Sequence, residues 1–295
     1  MPIQPTVLKA PAKLNLTLEV LNKREDGYHS IRSVMVPIDL ADEIHIEPAP
    51  SFSFSCSVPE LEENNLVISA LRALGIEGLA AAVRLIKRIP AGAGMGGGSS
   101  DAAAILLAAQ SGVFGAIRSR DYLEIARMLG SDVPFFLVET GALVEHTGER
   151  VTAIGALPSW YALVVKPPVQ VDTARAYRAV DEIKMQTRPR NASPSLEMVE
   201  ALQMRDFART QGLLSNDFQT VVASLAPEIS VAMEALKKAG AEKPLMTGSG
   251  SCVYALTGTR DECERLARSL VLERSFEQFV CGFYDAHVWR AEVRE

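Results

Sequence analysis

Cysteine is scarce in this chain, and its spacing suits neither a disulfide framework nor a metal. Cys56, Cys252, Cys263 and Cys281 form no CxxC pair and have no histidine at zinc-finger spacing, so buried or idle thiols are expected. Long hydrophobic runs are also lacking. No uncharged apolar stretch approaches the roughly 18 residues of a membrane span. The first twenty residues alternate polar with apolar side chains and form no signal-peptide core. A cytoplasmic protein with no membrane partner is expected. An excess of basic charge is missing too: 30 Lys+Arg against 36 Asp+Glu give a formal net charge of −6. That argues against a nucleic-acid partner, because neutralising many phosphates takes a basic stripe. Any anionic ligand must be held by local features. There is no internal repeat and no low-complexity tract.

What is present is the composition of a globular chain: 295 residues, 48% hydrophobic and 22% charged, enough for two modest domains. From Val7 to Val20 the residues alternate, with Ala12, Leu14, Leu16, Leu18 and Val20 on one face and Lys13, Asn15, Thr17 and Glu19 on the other. That pattern predicts a half-buried strand. An Asp26-Gly27 turn signal leads into a second extended region, Ile31 to Glu47. Asn64 or Asn65 is placed to cap a helix running to Leu74. Val83 to Ile89 reads as a strand ending at Pro90, and Ser99 to Gln110 as a helix. Ser119 is a candidate cap for a helix that stops at Gly130, and short strands are expected between Phe135 and Ile154.

After Pro158 the pattern restarts with a strand at Tyr161 to Val165 and helices from Thr173. A polar stretch from Lys184 to Ser195 precedes helical periodicity from Leu196 to Lys238. Two strands around a TGSGS turn are expected between Leu245 and Leu256, then a helix from Arg260 to Leu270 and a strand-like FVCGFYDAHVW. Strands and helices mixed without strict β-α-β order favour the α+β class. The two domains are expected to span residues 1–157 and 158–295.

The densest chemical signal is PAGAGMGGGSSDAA, Pro90 to Ala103, with five glycines in seven positions before a helix-favouring run. Glycines between a strand and a helix let backbone N–H groups approach a ligand, and the helix N-terminus adds unsatisfied donors and partial positive charge. Phosphate is the natural guest. A flexible surface turn would also account for glycines, but a linker rarely runs straight into Ser-Ser-Asp and an Ala/Ile/Leu helix. Gly92, Gly94 and Gly97 formally satisfy GxGxxG, yet Pro90 intervenes and the acidic residue expected about 20 residues on is missing. The Walker pattern fails because no Lys-Ser or Lys-Thr follows the glycines.

On these residues the chain resembles the GHMP kinase superfamily, whose glycine-rich loop has the form P-x-x-x-G-[LM]-G-[GS]-[GS]-S-S, with Met95 at the usual leucine position. PAKLNLTLEVLNKREDGYH at Pro11 to His29 narrows the resemblance to the cytidyl branch of that superfamily. GSDVPFF at Gly130 to Phe136, SNDFQ at Ser215 to Gln219 and TGSGSCVYA at Thr247 to Ala255 continue it in order. The resemblance implies an N-terminal domain like ribosomal protein S5 domain 2 and a ferredoxin-like C-terminal domain with the active site between them. It implies ATP as co-substrate, with its γ-phosphoryl passing to the tertiary C2 hydroxyl of a cytidine-diphosphate-linked methylerythritol in isoprenoid precursor synthesis. Another small-molecule kinase of the superfamily and a nucleotide-binding protein without turnover are the alternatives. A monomer or weak homodimer is expected.

Carried over residue by residue, Asp132 matches the catalytic aspartate and Lys13 the catalytic lysine. Pro90, Ala91, Gly92, Ala93, Gly94, Met95, Gly96, Gly97, Gly98, Ser99 and Ser100 match the ATP loop. Phosphoryl transfer asks for positioning, positive charge around the phosphate oxygens and modest help in removing the alcohol proton. Asp132 would take that proton and Lys13 would keep it ionised; singly, one could be a cap before Val133-Pro134 and the other a solvated strand residue. Asn15, on the face of Lys13, could orient substrate or be an exposed polar residue. The resemblance assigns Tyr28 and His29 to the cytosine, and Tyr177 to the other side of the base with Thr173 nearby, although Tyr177 equally fits the core face of a helix. Thr247, Gly248, Ser249 and Gly250 either face the nucleotide phosphates or form a tight hairpin turn. Asn65 and Lys87 are placed near the adenine by family position alone. Asn216 and Asp217 read as helix caps with no chemistry assigned. Mg2+ is expected with the phosphates, with no carboxylate cage in the sequence and its ligands unassigned.

Overall fold

The computed structural model describes residues 4–25, 27, 29–76, 78–115, 121–184, 192–284 and 292–293. Two long strands, β1 (Thr6–Lys23) and β2 (His29–Pro48), open the chain and pair antiparallel along almost their whole length. They are followed by β3 (Ser53–Cys56), α1 (Leu66–Leu74), β4 (Ala81–Ile86), α2 (Gly97–Gln110), α3 (Tyr122–Leu129), α4 (Val133–Phe136), β5 (Gly141–His146) and β6 (Arg150–Gly155). Then come β7 (Tyr161–Lys166), α5 (Thr173–Lys184), α6 (Pro194–Gln203), α7 (Phe207–Leu213), β8 (Ser215–Asn216), α8 (Gln219–Leu225) and α9 (Pro227–Lys238). The chain closes with β9 (Leu245–Met246), β10 (Val253–Thr257), α10 (Arg260–Ser269), β11 (Glu277–Gly282) and β12 (Glu292–Val293).

One sheet runs β12-β1-β2-β4-β3, with β5 and then β6 continuing from β2 and β8 lying on β1. The other runs β11-β7-β10-β9 with every pair antiparallel, the strand order of a ferredoxin-like unit. This is the α+β arrangement that the mixed periodicities predicted. Two short strands from beyond residue 158, β8 and β12, pair with β1 in the first sheet. No helix among the described residues is long and apolar enough to cross a membrane.

A single strand threads all three hydrophobic cores. Leu8 and Ala10 of β1 lie in the core formed with α1, α2, α3 and α4. A register shift between Pro11 and Ala12 re-aims the strand. Ala12, Leu14 and Leu16 then enter a second core, where Val34, Val36 and Ile38 of β2 meet Ala162, Val164 and Tyr254 of the other sheet. Leu18 and Val20 reach the third, between the opposite face of that sheet and α5, α8, α9 and α10. All four cysteines are free and buried, and burial raises each thiol pKa, so none is poised as a nucleophile.

Several local expectations need correction. The polar face of β1 is not solvated: Lys13, Asn15, Thr17 and Glu19 are all buried, because α6, β8 and the 247–251 loop cover them. α2 starts at Gly97, two residues before the expected Ser99, since Gly96 takes the cap position at φ 73. Phe135 and Phe136 belong to the helical turn α4, not to a strand. The periodic stretch after Leu196 is four helices interrupted by β8. Asn65 caps α1, accepting from the Val67 N–H at 2.9 Å, and Asp121 caps α3 through the Leu123 and Glu124 N–H groups. Ser119, Asp26 and the 285–289 end of FVCGFYDAHVW lie outside the described residues.

Leu16 is fully buried where the two sheets meet. Leu16→Ala is expected to lose about 2–5 kcal/mol of stability, read as a fall in the urea midpoint with an unchanged slope.

Candidate active site

The glycine segment leaves β4, crosses the middle of β1 at Lys13 and delivers the chain into α2. Gly94 and Gly96 sit at φ 75 and 73, in the left-handed region that favours glycine. Space is as demanding as torsion. A Cβ on Gly94 would lie 2.3 Å from the Thr247 carbonyl oxygen, and one on Gly96 would lie 3.0 Å from the Phe136 ring. The two glycine loops, 92–98 and 247–251, therefore pack back to back, joined by the Cys252 N–H donating to the Ala93 oxygen at 3.2 Å. No side chain caps the start of α2, so its first N–H groups stay available to an anion.

Lys13 lies at the centre of this arrangement. Its backbone N–H donates to the Met95 oxygen at 3.0 Å, and its ammonium to the Gly94 oxygen at 2.6 Å and Asn15 Oδ1 at 2.5 Å. Asp132, held just before α4 by Val133, Phe135 and Phe136 in the core, brings Oδ2 to 4.0 Å from the ammonium. The lysine side chain is 3% exposed and the aspartate 29%, so the pair has one buried and one open member. Burial pulls the Lys13 ammonium below the ordinary lysine value, and Asp132 opposes that shift.

A cavity of about 1040 Å³ opens beside this pair. It is bordered by Lys13, Asn15, His29, Gly92, Gly94, Gly96, Asp132, Thr173, Tyr177 and Gly248 to Gly250. At its far end the His29 and Tyr177 rings stack with centroids 5.2 Å apart, and Phe218 meets Tyr177 edge-on at 4.8 Å. Burial, with a smaller contribution from Asp132, pushes the Tyr177 phenol up to about 12, so it stays a neutral donor. The Thr173 and Ser249 hydroxyls bond to each other at 2.9 Å. A second cavity of about 380 Å³ lies on the other side of the loop, along Pro90 to Ser99, with Asn65 and Lys87 in its wall.

Three expectations change here. Thr247 is fully buried and its hydroxyl is engaged with Asn15, so it offers nothing to a phosphate, whereas Gly248, Ser249 and Gly250 do face the cavity. Asn15 is buried rather than exposed, its Oδ1 accepting from Lys13 and one Nδ2–H donating to Ser33, and it borders the cavity. In the glycine segment Ala93, Met95 and Ser100 are buried, so Ala93 and Met95 can serve a ligand only through backbone. The His29 ring covers one face of Tyr177, and a base stacking on that face must displace it. Tyr28 lies outside the described residues.

The sequence reading also passed over contributors. Arg127, Arg178 and Lys23 line the large cavity. Asn216, read as a cap, does accept from the Phe218 N–H at 2.9 Å, but its Nδ2 also donates to the Met246 and Gly248 oxygens at 2.7 and 2.8 Å, tying the second glycine loop to β8. A buried charge cluster supports the first loop: Lys87 donates to Asp42 and, at 2.7 Å, to Asp101, while Asp42 Oδ1 accepts from the Arg88 and Ile89 N–H groups. One signal was legible, Lys87 directly after the mostly apolar strand β4 and then Asp101 on the apolar helix α2.

A phosphate-sized cradle of bare amides beside a lysine-aspartate pair, at the junction of two β-sheets, defines a small-molecule kinase fold and site. The chain belongs to the GHMP kinases: the profile of the GHMP kinases N terminal domain matches residues 65–140 and that of the GHMP kinases C terminal residues 198–273. It is 38% identical over 265 residues to 4-diphosphocytidyl-2-C-methyl-D-erythritol kinase of Pelotomaculum thermopropionicum, covering 88% of this chain and 91% of the relative. A crystal structure of 4-(cytidine 5'-diphospho)-2C-methyl-D-erythritol kinase superimposes with a TM-score of 0.73 at 36% identity, covering 94% of this chain and 99% of that one. Homoserine kinase from Cytophaga hutchinsonii shares the fold, with a TM-score of 0.69 at 17% identity and 98% coverage of both chains.

One ammonium cannot neutralise two buried carboxylates, and Asp101 is the one that yields. Burial first, then the Asp42 charge, push its carboxyl up to about 8 against the pull of Lys87. A folded-state value above the ordinary 3.8 means that the cluster stabilises fully below that pH and less as pH rises through about 8. Lys87→Met strands both carboxylates and is expected to cost about 3–5 kcal/mol near pH 8. The loss should shrink toward pH 4 as Asp101 takes up a proton, which urea unfolding across that pH range will measure.

Proposed function

We propose that this kinase transfers the γ-phosphoryl group of ATP to the C2 hydroxyl of 4-diphosphocytidyl-2-C-methyl-D-erythritol. The observation that carries the reading is the convergence of Lys13, Asp132 and the glycine loop at Gly92, Gly94 and Gly96 on one cavity, in a chain whose relatives bear that kinase's name. The triphosphate would lie along the bare amides of residues 92–98 and the start of α2, where backbone N–H groups and the helix dipole favour negative charge. The adenosine side would occupy the smaller cavity beside Asn65 and Lys87.

Asp132, the open member of the pair, would accept the alcohol proton as the C2 oxygen attacks the γ-phosphorus. Lys13, fixed against the Gly94 oxygen, would stand beside the transferred group and offset the charge spreading over its oxygens. Magnesium would enter with the triphosphate and supply charge neutralisation. No group of three His, Cys, Asp or Glu among the described residues forms a cage for it, and the Ser99 hydroxyl in the first turn of α2 is the hard oxygen donor that suits it. At the far end His29 and Tyr177 offer an imidazole edge and an aromatic face of the kind a cytosine ring needs, with Tyr28 assigned to the same base and Thr173 and Ser249 beside the diphosphate.

Incubation of the pure protein with ATP and magnesium is expected to consume ATP with the cytidyl alcohol and not with mevalonate, homoserine or galactose; turnover of another acceptor alone rejects the assignment. Asp132→Asn should keep its fold and nucleotide affinity, measured by calorimetry, while kcat falls by about 10²–10⁴-fold. Because Lys13 acts as a cation with a lowered pKa, kcat should decline on the alkaline side with a midpoint below the ordinary lysine value of 10.5.

A further inference from the structure

The Asn15 amide has two chemically different ends, and only one of them can face Lys13. The ammonium is donor-only, so its contact at 2.5 Å requires the amide oxygen. Rotated by half a turn, the amide would set its NH2 against the ammonium, donor against donor. Two hydroxyls prevent the rotation. Ser33 on β2 donates to the Thr17 carbonyl oxygen at 2.5 Å, which leaves its own oxygen to accept from Asn15 Nδ2 at 2.8 Å. Thr247 accepts from the Asn15 backbone N–H at 3.0 Å and donates to Asn15 Oδ1 at 3.2 Å. Ser33 and Thr247 are fully buried and Asn15 almost so, which leaves no room for solvent to substitute for either hydroxyl.

From this relay we infer that Ser33 and Thr247 are positioning residues for phosphoryl transfer, holding the Asn15 amide so that the Lys13 ammonium stays between the Gly94 oxygen and Asp132. They act through Asn15. The inference rests on the catalytic reading of Lys13 above, and it adds a coupling. Ser33 belongs to the first sheet, whereas Thr247 follows β9 of the second, and Tyr254 on β10 donates to the Asn15 carbonyl at 2.8 Å. The lysine is therefore oriented only while the two sheets keep their register against each other.

Three variants test it, assayed on whichever acceptor alcohol the wild-type protein turns over, so that failure of the cytidyl assignment leaves the test standing. Thr247→Val keeps the shape and removes the hydroxyl, Thr247→Ser keeps the hydroxyl, and Ser33→Ala frees the amide from its other side. Thr247→Val and Ser33→Ala are expected to lower kcat about 10- to 100-fold with KM for both substrates within about twofold, and Thr247→Ser to stay within about threefold of wild type. Unchanged kcat in the Val and Ala variants overturns the proposal. So does a Thr247→Ser loss as deep as that of Thr247→Val, or a loss that appears in KM. Should Ser33→Ala fail to fold, the Val and Ser pair at Thr247 decides alone.

Discussion

A lysine ammonium buried inside the protein must be surrounded by acceptors, and the architecture of this site follows from where Lys13 finds them. One is the carbonyl of Gly94 on the phosphate loop, one the amide of Asn15 on its own strand, and the third the more distant carboxylate of Asp132 ahead of α4. Leaving any of them out would strand a desolvated charge. The chain segments around residues 13, 94 and 132 are thus held together by one cation, and the cavity beside them inherits its shape from that requirement. Since burial already pulls the ammonium toward its neutral form, the contacts that keep it charged also keep it useful to a phosphate.

The glycine loop is shaped by more than its ligand. Gly94 is bare partly because a second loop lies against it, with the Thr247 oxygen where a Cβ would project. That second loop is anchored in turn by Asn216, whose strand β8 pairs with β1 at Thr17 and Leu18. Two segments far apart in sequence lean on each other through backbone, and each needs the other's lack of side chains. Beneath the first loop the Asp42, Lys87 and Asp101 cluster joins β2, the exit of β4 and the second turn of α2, so the loop is braced from below as well as behind.

How much of this was legible in the sequence depended on the range of the interaction. The alternation of β1, the Asn65 cap and the bare run from Gly92 to Gly98 are local patterns, and local physics dictates them. The pairing of Lys13 with Asp132 was reachable only because two short motifs resemble those of a known superfamily, since nothing in the spacing of 119 positions brings them together. Burial of the polar face of β1 was not legible at all. Alternation reports two faces, and which of them meets solvent depends on segments such as α6 and β8 that arrive from elsewhere in the chain. For the same reason Thr247 reads as a phosphate contact in sequence and is a buried partner of Asn15 in the fold.

An acidic protein that gathers two polyphosphates poses an electrostatic problem that the net charge of −6 cannot answer. Exposed charges more than about 8–10 Å apart are largely screened at physiological ionic strength, so the potential inside a cleft is set by the groups that line it. The walls of the large cavity carry Lys13, Lys23, Arg127 and Arg178 against Asp132 and Glu149, and the start of α2 adds the positive end of a fourteen-residue helix. The local sign is positive although the surface as a whole is negative. That separation has a use beyond attraction. Low-dielectric walls focus the field of the lining cations into the cavity, while the acidic remainder of the surface repels polyanions that cannot enter it.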